Sequence, residues 1–137
     1  MRMIAVAVLG PLMALGLVGC GDTGARADAA VATADRLLGA VRDGDGAGAC
    51  GLLAPDTADE VAKNAGRPCA DAITGEDLPG PGDATRVRVD GQWAQVVIAA
   101  DGDGTLFLAM FPGGWRVVAA GCRSRGERPY DCSVQGG

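Results

Sequence analysis

Histidine is absent from the 137-residue chain, lysine occurs once and only five residues are aromatic. Without histidine a Ser-His-Asp constellation cannot be built, and both serines, Ser124 and Ser133, lie close to the C-terminus. The same absence, with no closely spaced cysteine pair, leaves no basis for a zinc site, so no metal and no cofactor is expected. Positive charge is scarce too: 12 Lys and Arg stand against 17 Asp and Glu, a net charge of −5. That balance argues against sequence-independent nucleic-acid binding through a basic face.

What is present first is an address. Met1-Arg2 supplies a short positive start, and residues 3–18 then carry no charge. The run is shorter than the roughly 20 residues of a comfortable membrane span, so a cleaved export signal over residues 1–19 is expected. It ends in Leu17-Val18-Gly19-Cys20, which resembles the lipobox of bacterial lipoproteins. There a thiol receives a diacylglycerol before cleavage, which would make Cys20 the acylated first residue. Removing Cys20 from the five cysteines leaves an even four. The resemblance implies a lipid bilayer as partner and the outer face of the cell membrane as location. Residues 20–27 are expected to form a flexible tether, reaching roughly 15 Å as a random coil. The preference for Arg over Lys and Asp over Glu, with abundant Ala and Gly, resembles a GC-rich actinobacterial genome.

From Cys20 onward the chain has 118 residues and a net charge of −6, which is one small domain over residues 28–137. Leu, Ile, Val and Phe make up only 21 of those residues, near the composition at which a charged chain fails to fold. Cys50, Cys69, Cys122 and Cys132 offer the missing stability if oxidised, as an exported location permits. Four cysteines allow three pairings. Nearest neighbours, Cys50 with Cys69 and Cys122 with Cys132, are expected because each pair closes a local loop. The first would bracket a helical segment and the second would fasten a tail.

Apolar periodicity divides the domain. Val31, Ala34, Leu38 and Val41 make one stripe of a helix over residues 28–42. Shorter helices are expected at 47–53, from Asp56 or Thr57 to about Ala65, and at 69–73, with a Pro- and Gly-containing loop over 76–83. The period then changes to 2. Strands are expected at 85–89, 92–100, 105–111 and 115–120, with Asp90-Gly91 as a two-residue turn. The fold class is therefore α+β: N-terminal helices on a curved four-stranded antiparallel sheet, stapled by two disulfides. The middle strands are apolar on both faces, so something must cover the second face. Either a homodimer forms through this outer face, or the tail around Tyr130 folds over it.

Two Asp-Gly-Asp-Gly segments, at 43–46 and 101–104, look like the opening of calcium loops. They lack the later ligands, with Ala47 and Ala54 in one and Thr105 and Pro112 in the other, and so read as turns. Trp115, opening an alternating strand, reads as core.

Three helices followed by a curved meander resemble the cone-shaped fold of the SnoaL and nuclear-transport-factor-2-like superfamily. The residues that carry the likeness are Leu37-Leu38-Gly39-Ala40-Val41-Arg42-Asp43-Gly44-Asp45 and Cys50-Gly51-Leu52-Leu53-Ala54-Pro55. The segments 113–122 and 129–132 are similar to the C-terminal half of small actinobacterial lipoproteins of unassigned function. The superfamily implies either isomerases and cyclases with an Asp or His base in the cone, or binding domains without chemistry. With no His and one Tyr, this sequence is expected to be a non-catalytic binding or interaction domain with no catalytic residue. The alternative is a cone-pocket enzyme using a buried Asp on an apolar small molecule.

Overall fold

The computed structural model describes residues 23–99 and 102–137. Four helices, α1 (Thr23–Arg42), α2 (Gly46–Leu52), α3 (Pro55–Ala65) and α4 (Cys69–Ala72), precede a five-stranded sheet, with a short 3-10 turn at Ile73–Gly75. The strands are β1 (Ala84–Asp90), β2 (Trp93–Ile98), β3 (Thr105–Phe111), β4 (Gly114–Arg125) and β5 (Arg128–Gln135). They lie in sequence order, all antiparallel, as an open meander. The fold class is α+β, as the change of period requires. No helix among the described residues is long and apolar enough to cross a membrane.

Three expectations are corrected. The sheet has five strands, not four, because the segment after Cys122 continues as β4 and returns as β5. Pro129 is compatible with this because β5 is an edge strand, where a missing ladder donor costs little. The first helix begins earlier than expected, since residues 23–27 belong to α1. Alanine-rich sequence favours the helix, and tertiary contacts fix its first turns. The Arg26 guanidinium donates to the Gly91 carbonyl and stacks over Trp115 at 5.4 Å, while Trp115 Nε1 donates to the Arg26 carbonyl at 3.1 Å. Finally, Asp90 pairs with Trp93, so the hairpin turn is Gly91-Gln92, with Gly91 supplying the positive φ of 54°.

One face of the sheet meets the helices. α1 buries Ala30, Ala34, Leu37 and Leu38 against Val96, Leu106, Leu108 and Val117, and Trp115 is buried in the same core. Most of these side chains are small or branched, which explains why staples matter. Cys50 is bonded to Cys69, joining α2 to α4 with Cα atoms 6.2 Å apart, and Cys122 is bonded to Cys132, joining β4 to β5. Both are the nearest-neighbour pairs. Disulfides of this kind belong to an oxidising, extracytoplasmic setting.

The Asp-Gly-Asp-Gly segment at 43–46 is a helix connection. Asp45 caps α2, its Oδ1 accepting from the Gly48 N–H at 2.9 Å. In the second such segment Asp101 lies outside the described residues, and the Gly104 carbonyl accepts from the Ile98 N–H at 2.7 Å.

Candidate functional site

The other face of the sheet is apolar but not flat. Gln95 on β2 is paired with Phe107 on β3, so both point away from the helices. Tyr130 on β5 meets both: its ring packs edge-on to Phe107 with centroids 5.0 Å apart, and its hydroxyl receives a hydrogen bond from Gln95 Nε2 at 3.3 Å. β2 and β5 are three strand spacings apart, roughly 14 Å in a flat sheet. The two side chains meet because the sheet is rolled toward this face.

The roll has a local cause in β4. Phe107 and Leu108 pair with Ala119 and Val117, leaving Val118 as an extra residue, and a second irregularity falls before Cys122. Bulges of this kind bend a strand and increase its twist. Gly121 takes φ of 63° in the second, where a Cβ would lie 2.9 Å from Leu78 Cδ2. At the first, the Val118 carbonyl turns out of the ladder. It accepts from Thr57 Oγ1 at 3.0 Å and from the Gly136 N–H at 3.1 Å. The start of α3 and the last residues of the chain are thereby drawn to the edge of the face.

These pieces enclose a groove of about 590 Å³. Trp93, Phe107, Ala109 and Phe111 form its floor along β2 and β3, with Val118 and Ala119 from β4. Pro129, Tyr130 and Cys132 wall one side, and residues 54–57 with 135–137 close another. Asp56 is the one acid among the described lining residues, and it is exposed. The buried polar side chains among the described residues are Thr33, Thr57 and Thr105, none of them a carboxylate. Asp35 on α1 has Oδ1 buried without a hydrogen-bond partner, yet it does not line the groove. The arrangement can desolvate an apolar body. It places no acid or base at the groove floor.

Of the four cysteines singled out from sequence, Cys132 touches the groove, and its bond to Cys122 fastens the hairpin that carries Tyr130, the tail residue also singled out. Arg125 Nε donates to the Pro129 carbonyl at 3.0 Å and holds the same hairpin. Cys50 and Cys69 lie in the helical layer, and Cys20 lies outside the described residues. Replacing Cys122 and Cys132 together by serine is expected to lower stability by up to about 3 kcal/mol, on the chain-entropy estimate for so short a loop. Urea denaturation of the oxidised protein measures it. An unchanged midpoint would show that β4 and β5 hold the wall without the bond.

Sequence reasoning missed Trp93 as an exposed group: it is 60% exposed, while Trp115 is buried at 5%. The signal was available, since Trp93 immediately follows the turn and lies out of phase with Ala94, Val96 and Ile98. Ala54 to Thr57 read only as a helix start, and nothing in the pattern placed them or the C-terminal residues at the groove, because a bulge carbonyl brings them there. Compared with family models, curated proteins and solved structures, the chain gives no match.

Proposed function

We propose that this chain is a lipid-anchored, extracytoplasmic, non-catalytic binding domain whose rolled outer sheet face takes an apolar small molecule. The observation that carries the reading is the aromatic-floored groove. Its volume of about 590 Å³ falls within the range of ordinary ligand pockets, about 300–1,000 Å³. The element order, helices first and a rolled antiparallel sheet after them, suits a cone-like SnoaL or nuclear-transport-factor-2-like domain, which we take as its frame. The catalytic alternative needs a buried Asp at the bottom of that pocket. Asp56, exposed at the edge, does not meet the requirement. Self-association through the outer face is the competing use, but a concave face with Tyr130 folded over it offers less area to a second copy than a flat one.

The reading is tested by titrating the processed full-length protein with cis-parinaric acid, whose emission rises in a dry apolar site. Saturable binding of one equivalent is expected, and Ala109→Trp, which fills the floor of the groove, is expected to abolish it. Ala109 is nearly buried beside Trp93 across the strand pair, so a melting curve of the variant accompanies the titration. A flat titration of the unaltered protein, or equal binding by a folded Ala109→Trp chain, refutes the groove as the site.

A further inference from the structure

Three separate segments meet at one end of the domain. The Arg26 side chain, at the end of the first turn of α1, donates to the Gly91 carbonyl of the β1–β2 turn. Gln92, in the same turn, accepts through its carbonyl from the Met110 N–H at 2.8 Å. Phe111 then pairs with Gly114 across the turn formed by Pro112 and Gly113. The start of α1, the β1–β2 turn and the β3–β4 turn therefore share one end. On the outer face of that end stand Trp93, the most exposed large apolar side chain described, and Phe111; both line the groove. Pro112 and Gly113 at the tip are exposed.

On the lipid-anchored reading, the chain before Thr23 limits how far this end can stand from the membrane. Thr23 is three residues from Cys20, and three residues span at most roughly 11 Å even when fully extended. An acyl group on Cys20 holds that residue at the bilayer surface, so the α1 start cannot stand farther off than this. Tryptophan is also the side chain most at home at the membrane–water boundary, with an apolar ring and a polar N–H. Charge is not the attraction. Arg26 is occupied by Gly91 and Trp115, Arg36 and Arg88 stand near Trp115 and Trp93 with Asp90 beside Arg88, and the described residues of this end form no cluster of four or more Lys and Arg such as anionic-lipid recognition uses.

We propose that this end of the domain rests in the interface of the bilayer, with Trp93 and Phe111 in contact with lipid and the groove's aromatic end facing the membrane. The orientation rests on the lipid-anchored reading above. It gives that reading a ligand source: an acyl chain can pass between bilayer and groove without crossing bulk water.

The test uses the processed, membrane-extracted protein reconstituted into vesicles of phosphatidylcholine with a minority of phosphatidylglycerol, with acyl chains brominated or not. The chain has two tryptophans, so the difference between the natural protein and Trp93→Phe reports Trp93. Its emission is expected to fall at least about twofold with brominated lipid and to be shielded from aqueous iodide, as an interfacial ring should be. Molar salt should leave the quenching unchanged, since screening weakens only charge-driven contact. Trp115 emission in Trp93→Phe should not respond. Trp93 open to iodide and untouched by brominated lipid, in protein whose intact mass shows an acylated Cys20, overturns the orientation and leaves the anchor standing. An unmodified Cys20 overturns anchor and orientation together. The cis-parinaric acid titration judges the groove independently of either result.

Discussion

Gly46→Ala is expected to destabilise the domain by about 3 kcal/mol or more, a larger change than most single methyl additions produce. A Cβ on Gly46 would sit 1.8 Å from the Ala70 carbonyl oxygen and 2.7 Å from its carbon. The atoms it meets are backbone, not the movable end of a side chain. Ala70 belongs to α4, and α4 is tied to α2 by the Cys50–Cys69 bond, so neither helix is free to step aside. The melting temperature should fall by roughly 10 °C or more for a domain of this size. Gly51→Ala, in the same helix with nothing within 4 Å of its Cβ position, supplies the control. There the helix gains about 0.5–1 kcal/mol from reduced backbone freedom. If both variants melt with the natural protein, the close approach of α2 to α4 is wrong.

Leu108→Ala should cost about 2–5 kcal/mol, the range for deleting a fully buried leucine. Leu108 is at the centre of β3 with no exposed surface, paired with Ala94 on one side and Val117 on the other. Collapse into the space is resisted because Val117 is held by a bridge to Leu53 and by its carbonyl, which accepts from the Ala54 N–H at 2.8 Å. Phe107→Ala, one residue earlier, removes more atoms but from the half-buried outer face. It should destabilise less and abolish cis-parinaric acid binding, whereas any folded Leu108→Ala protein should keep it. Chemical denaturation and the same titration, run on both variants, separate the two faces. Equal destabilisation with equal loss of binding would contradict the face assignment on which the groove depends.

Much of the architecture was legible because it rests on short-range pattern. The stripe of α1, the change of period after Asp83 and the nearest-neighbour cysteines all follow from spacing. Apolar residues on both sides of the middle strands also announced that the second face needs a cover, although which of them face outward follows only from the register. What covers it was only half visible. Tyr130 was one of the two candidates, but Ser124 to Cys132 lacks alternation and contains Pro129, so β5 read as a tail. The groove itself was not legible, since it depends on the bulge at Val118, whose carbonyl recruits Thr57 and Gly136 from far along the chain. The extended start of α1 was hidden for a related reason. Residues 23–27 have no apolar stripe of their own, and what orders them is Trp115, 89 residues from Arg26.

The arrangement of the two disulfides also bears on how the protein reaches this state. Cys50 and Cys69 enclose only the end of α2, α3 and their connections, and Cys122 and Cys132 enclose only the turn end of one hairpin. The two loops are disjoint in sequence and neither interlocks with the other. Each strand after β1 likewise pairs with the strand made just before it. Oxidation can therefore follow synthesis in chain order, with the helical loop closing first and no thiol required to wait for a partner from the other half. A chain of this kind offers few opportunities for mispairing, and its maturation should depend little on a disulfide isomerase.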